Sequence, residues 1–331
     1  MSVRFQILSL DGGGIKGIFS AAVLAAVEKD LSVKIVDHFD LIVGTSTGGI
    51  IALGLGLGLS PKEIVSFYVQ KGPEIFKNVF STRSILHWTF RKFSQRKLME
   101  ALTDPEFFGD KTLGDSTKRL VIPSYNLGED DVYLFKTPHH ERLKRDWKVP
   151  AWQVALATSA APTYFPVSRH VDHQRHIDGG IWANNPTMVG VVEAVSMLDI
   201  SLDQIRVLSL GTSEEVIRRP SKLDIGGKLT WANHAVHLIM RGQSLGAHKQ
   251  ASHLLGTDRV LRVDPKVPDG LFTLDKADMK NELLAKAAHE SRSSMPIIES
   301  GFISHKCDKY MPFHGTRKYL SSMEKENRND D

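Results

Sequence analysis

Through the first two thirds of the chain, short apolar runs alternate with longer stretches in which apolar residues recur every three or four positions. The short runs read as buried strands and the longer ones as helices, an order that builds a mainly parallel sheet covered on both faces. Residues 4–10 predict the first strand, and residues 14–29 a helix with Ile18, Ala21, Ala22 and Ala25 on its apolar face. Residues 41–43 predict the second strand, and the glycine-rich stretch 49–59 a buried helix. Ser60-Pro61 caps a further helix to residue 71, with proline at the tolerated first turn. Then come strands at 119–125 and 132–136, a helix at 150–160 and an extended segment at 170–177. Asn185-Pro186 opens another helix, and 205–210 is a late strand. Beyond residue 230 the pattern is mainly helical, interrupted by one apolar run at 259–263. The expected organisation is a unit over 5–190, its sheet completion and helical extension in the same globule over 191–320, and a charged, disordered tail over 321–331.

The uncharged run from 41 to 59 is long enough to span a bilayer. Its glycines and hydroxyls divide it instead into a strand, a turn and a helix. An interior glycine costs a helix roughly 1 kcal/mol, but small residues allow close packing on a sheet. With 331 residues, the chain can bury a full core in one large domain. A net charge of +4 over that length argues against a nucleic-acid polymer as partner. Cys307 is the single cysteine, so no internal disulfide is expected, and it reads as a small apolar side chain. The first residues run straight into a strand with no secretory signal, which predicts a cytoplasmic protein.

Candidate chemistry gathers at the ends of the first two strands. Gly44-Thr45-Ser46-Thr47-Gly48 follows the second strand, and a serine framed by glycines suits a strand-to-helix nucleophile turn. Asp11-Gly12-Gly13-Gly14-Ile15-Lys16-Gly17 follows the first and can offer backbone N–H groups to an oxyanion. The same glycines match a dinucleotide-binding fingerprint, but the acid that fingerprint wants after the second strand is replaced by Gly44-Thr45-Ser46. No Gly-Lys-Ser/Thr follows either turn, so a Walker-type phosphate loop also fails. A serine hydroxyl needs a base. The 14 histidines keep a Ser-His-Asp esterase open, yet His170, His173, His176 and the pair His139-His140 read as solvated or structural. Asp178-Gly179-Gly180 ends an extended segment and would present its carboxylate with little steric cover, so Asp178 can serve Ser46 directly. A catalytically silent nucleotide- or lipid-binding module is the non-enzymatic alternative.

In this order the three motifs resemble the patatin-like phospholipase family, with its glycine-rich oxyanion turn, Gly-x-Ser-x-Gly elbow and Asp-Gly-Gly/Ala turn. Gly12, Gly13, Gly14, Lys16, Gly17, Gly44, Ser46, Gly48, Asp178, Gly179 and Gly180 stand at the matching positions without departure. Thr158-Ser159-Ala160-Ala161-Pro162-Thr163-Tyr164-Phe165 resembles the segment before the family's aspartate turn. The resemblance, over about residues 5–190, implies a three-layer α/β/α fold and a lipid acyl hydrolase acting through an acyl-enzyme. It implies Ser46 as nucleophile, Asp178 as base and an oxyanion hole drawn from Gly12, Gly13, Gly14 and Thr47, with neither metal nor cofactor. Lys16 sets local positive potential. Between Ile75 and Met99 there are six lysines and arginines, no acid and several aromatics. Trp88, Arg91, Lys92, Arg96 and Lys97 are therefore candidates for contact with a membrane or an anionic regulator. Some bacterial members of the family are effectors switched on by cyclic dinucleotides in antiphage defence, and the compact organisation here is similar to theirs. The partners expected are membrane phospholipid at the inner face, a cyclic-dinucleotide activator and a second copy in a homo-oligomer.

Overall fold

Apolar runs and helical stretches assemble into a seven-stranded sheet held between two helical layers. The computed structural model describes residues 4–76, 93–216, 221–268 and 279–315. The first half contributes β1 (Phe5–Leu10), α1 (Gly17–Leu31), β2 (Leu41–Gly44), α2 (Thr47–Gly56), α3 (Pro61–Ile75) and α4 (Gln95–Leu102). It continues with β3 (Arg119–Asn126), β4 (Asp131–Lys136) and α5 (Ala151–Thr158). The second half adds β5 (His176–Asp178), α6 (Gly180–Ala183), α7 (Thr187–Leu198), β6 (Ile205–Leu210) and β7 (Glu214–Val216). Then follow α8 (Lys228–Leu255), β8 (Val260–Val263), β9 (Lys266–Pro268) and α9 (Lys280–Ile298). Strand order is β4-β3-β2-β1-β6-β8, with β5 also paired to β3 and a separate parallel pair β7-β9. The pairs joining β3, β2, β1, β6 and β8 are parallel; β4 and β5 run antiparallel to β3.

Strand residues sort by parity, as the pleat requires. Leu8, Leu10, Ile42, Leu120, Ile122, Leu208 and Leu210 pack toward the layer of α1, α2, α3, α5 and α9. Phe5, Ile7, Leu41, Val43, Val121, Ile205 and Val207 pack toward α7 and α8. The expected α/β class and three layers are both present. Ser60 caps α3 with a full capping box to Glu63, and the run 259–263 joins the sheet as the edge strand β8.

Three local expectations change. Residues 14–16 form a separate 3-10 turn before α1. The buried face of α1 is also wider than the alanine stripe, taking in Phe19, Val23, Leu24 and Val27, because the helix meets α9 and α3 as well as the sheet. The extended segment 170–177 shrinks to β5, since Asp172 and His173 turn back with positive φ. The small residues of α2 do allow the close approach expected: a Cβ on Gly49 would crowd Thr158 and Ile122, and one on Gly56 would crowd Ser116 and Leu120. No helix among the described residues is long and apolar enough to cross a membrane. The tail 321–331 lies outside the described residues.

Candidate active site

Parallel strands deliver their carboxyl ends to one edge of the sheet, and the loops there build the site. Leu10 and Gly44 are register partners, so the glycine turn after β1 and the serine turn after β2 leave the sheet side by side. β5 runs against the far end of β3, pairing Asp178 with Ser124, and so delivers its carboxylate beside the end of β2.

Ser46 sits at the elbow with φ 55° and ψ −121°, a backbone conformation that non-glycine residues rarely hold. The glycines around it are there for a different reason. A Cβ on Gly44 would strike the Gly48 carbonyl, and a Cβ on Gly48 would strike the carbonyl of Leu10. The elbow is thus a tight backbone crossing whose one strained residue is the serine. Thr158, at the end of α5, helps to hold it: its hydroxyl accepts the Ser46 N–H at 3.0 Å and donates to the Pro123 carbonyl at 2.5 Å.

The Ser46 hydroxyl donates to Asp178 Oδ2 at 2.6 Å, and Oδ1 accepts the Gly180 N–H at 2.7 Å. Asp178 is buried, and loss of water raises its carboxyl to about 6; the two hydrogen bonds oppose the rise. Its own N–H donates to the Ala160 carbonyl, and that of Gly179 to Thr158. One segment, 158–160, therefore ties down both nucleophile and carboxylate. A Cβ on Gly179 would collide with the Pro123 carbonyl, which keeps this turn flush against β3.

The glycine turn stands across from the hydroxyl. Gly14 has φ 58°, a left-handed conformation that glycine adopts without penalty. Gly13, Gly14 and Thr47 line the cleft with Ser46. The N–H of Gly12 instead donates to the Asn184 carbonyl at 3.0 Å. The Gly12 N–H is thus engaged in supporting the turn, and the candidate oxyanion donors narrow to the other three. The Thr47 hydroxyl donates to the Gly14 carbonyl at 2.7 Å and joins the two turns. Behind the turn, the Thr212 hydroxyl donates to the Gly12 carbonyl at 3.3 Å. Arg262 on β8 grips Asp11 with both terminal nitrogens, at 3.0 and 2.7 Å, and reaches Ser209 and Asp264 at 2.8 and 2.6 Å.

The walls of the cleft beside Ser46 are mainly apolar: Ile50, Tyr68, Phe76, Phe93, Leu98 and Phe165. Such a lining suits an acyl chain whose ester reaches Ser46. Lys16 is half-buried in the 3-10 turn and does not line this space. Arg96 and Lys97 lie on the outer side of α4, each paired with Glu100, while Leu98 of the same helix faces the cleft. Trp88, Arg91 and Lys92 lie outside the described residues. Among the described residues no histidine lines the cleft. The His176 ring is buried against Tyr133 and Phe135, faces Ser124 and Gln174, and is pushed by desolvation to about 4. His139 is buried against Glu193 and Thr137. No cluster of three or more metal-ligating side chains occurs among the described residues.

Sequence reasoning missed Asn184 and Met240, both in the cleft wall. Asn184 Oδ1 is buried with no hydrogen-bond partner among the described residues. Asn184 sits one position before the Asn185-Pro186 helix signal, which was its only trace in the sequence; Met240 had none. Thr158 and Arg262 were equally silent as to role, since each acts on a residue more than a hundred positions away.

A family model described as patatin-like phospholipase matches residues 8–191. A cGAMP-activated phospholipase of Pseudomonas aeruginosa is 33% identical over 326 residues, covering 95% of this chain and 96% of that protein. A cGAMP-activated phospholipase of Escherichia coli is 33% identical over 303 residues, covering 83% and 84%. Among solved structures, VipD from Legionella pneumophila aligns at 13% identity over 90% of this chain and 67% of its own, with a TM-score of 0.49. Since the family model spans more than half of the sequence and a third-identical relative runs nearly its whole length, the chain belongs to the patatin-like phospholipase family.

Proposed function

We propose that this protein is a phospholipase that cleaves carboxylic esters of membrane phospholipids through Ser46 and Asp178. The observation that carries the reading is the 2.6 Å hydrogen bond from a strained serine to a buried carboxylate in an apolar cleft. As Ser46 Oγ bonds to the ester carbonyl carbon, its proton passes to Asp178 Oδ2. The N–H groups of Gly13, Gly14 and Thr47 receive the charge that develops on the carbonyl oxygen. Collapse expels the alcohol oxygen, which takes the proton from Asp178 and leaves the acyl group on Ser46. Water then adds to the acyl-enzyme and gives its proton to Asp178. The second collapse frees the fatty acid and returns that proton to Ser46.

Regulation by cGAMP and a role in antiphage defence extend the reading. Their support is the likeness to proteins named cGAMP-activated phospholipase along almost the entire chain. The test is mass spectrometry of products from mixed phospholipids, with and without cGAMP. The parent should release fatty acid only with cGAMP present, and Ser46→Ala should release none above background. Equal release by both proteins removes Ser46 from the chemistry. A rate indifferent to cGAMP, with no heat of binding in calorimetry, rejects the regulation and leaves the hydrolase standing.

A further inference from the structure

We infer that α8 is the face by which this protein docks on an anionic phospholipid bilayer, an inference that rests on the phospholipase reading above. From residue 228 to 255 the sequence has no aspartate or glutamate, while it includes Lys228, Arg241 and Lys249. One side of the helix belongs to the protein. Ala247, Ala251 and Leu255 are buried. Met240 lines the cleft, the Ser244 hydroxyl accepts from Asn184, and Gln243 exchanges hydrogen bonds with the Asn185 backbone. Among the described residues, the other side presents exposed apolar side chains. Trp231, Leu238 and Leu245 follow one another at two-turn spacing, so they share a stripe. They are 37%, 41% and 39% exposed, and Ile239 beside them 59%. Lys249 lies in line with Trp231 and is also exposed. Ile225, in the approach to the helix, is 94% exposed. Six of the thirteen large apolar side chains left exposed among the described residues fall between Ile225 and Leu254, so apolar surface is concentrated here.

An apolar stripe with lysine in line and no carboxylate on its helix matches the headgroup region of an anionic bilayer. Rings and aliphatic groups enter the acyl boundary there while ammonium groups meet phosphate. Pairing with the same helix of a second copy would set cations against cations, with no acid on either helix to answer them. Met240 also puts the stripe on the helix that walls the cleft, so a bilayer reached by one is within reach of the other.

Vesicle flotation in a Ser46→Ala background, which leaves lipid intact, tests this. The protein should float with vesicles containing phosphatidylglycerol and stay behind with pure phosphatidylcholine. Combining Trp231→Ser, Leu238→Ser and Ile239→Ser should lower the bound fraction about tenfold or more. Lys249→Glu should lower it by a smaller factor that disappears in high salt. With Ser46 restored, the triple variant should lose hydrolysis of vesicle lipid yet react with a fluorophosphonate in buffer at the parent's rate, which also certifies its fold. Unchanged flotation of the triple variant overturns the inference. A changed sedimentation coefficient with flotation retained also overturns it, because the stripe is then a contact between copies. Flotation lost as expected, beside a parent that hydrolyses no lipid even with cGAMP present, supports docking and counts against the phospholipase reading instead.

Discussion

Burial raises the Asp178 carboxyl to about 6, against an ordinary value of 3.8, although Ser46 and the Gly180 N–H bond to its charged form. A base must be ionised to accept a proton, so kcat/KM should be level above that value and fall tenfold per pH unit below it. A profile still flat at pH 5 would assign the proton to another group. The same shift bears on stability. As pH rises, the unfolded chain gives up this proton near 3.8 and the folded one only near 6, so folding loses free energy across that window. The loss is complete above it, on the order of 3 kcal/mol. Asp178→Asn should therefore cut turnover by roughly 10²- to 10⁴-fold and yet melt higher than the parent at pH 8, with the gap narrowing at pH 4. Thr158 allows a second prediction. Thr158→Val leaves the Ser46 N–H buried without its acceptor, at about 1–3 kcal/mol. It should lower kcat more than it raises KM, and Thr158→Ser should restore the parent values; a change confined to KM would mean that Thr158 does not position the nucleophile.

At the level of elements, the glycine turn depends on a strand that follows it by some 250 residues. β8 is an edge strand, and its Arg262 holds Asp11 at the root of the turn while Asp264 accepts the Ser213 N–H in the neighbouring loop. Arg262→Ala would remove the guanidinium that Asp11 and Asp264 share, at a cost of about 3–5 kcal/mol read from denaturant melts. Arg262→Lys keeps the charge but loses the two-pronged grip, and should recover part of the stability with a lower kcat. This dependence marks where reading the sequence stops. The elbow, the glycine turn and Asp178 were legible because each is a short motif whose residue types are dictated by local chemistry. The parallel sheet was legible from its alternation. Arg262 gave no sign, because one arginine in an apolar run does not reveal which carboxylate it will meet across the sheet. Residues 170–177 misled for a different reason: Asp172 and His173 tolerate positive φ better than most side chains but are as much at home in extended chain, so the turn they make is not announced as a glycine turn is.

Across the whole molecule, the late part of the chain closes the floor beneath the amino ends of the strands, opposite the cleft. Gln6 Nε2 donates to the carbonyls of His38 and Phe302, at 2.6 and 3.0 Å, and His305 Nε2 donates to Asp40 at 2.9 Å. α9 packs along α1 above them. The end of the sheet opposite the cleft is thus bonded shut by residues from both ends of the chain. The close contacts of glycines around the site have a genetic consequence. Nearly every base change at the first two positions of a glycine codon introduces a Cβ, and at Gly17, Gly44, Gly48 and Gly179 that atom would meet a neighbour head-on. If expression of the active enzyme harms its host, colonies that survive should carry missense alleles concentrated at these four codons as well as at Ser46 and Asp178. Sequencing survivors that still make full-length protein would show it, and an even scatter along the gene would refute it. The sites that chemistry cannot do without would then be outnumbered as targets by sites where there is simply no room.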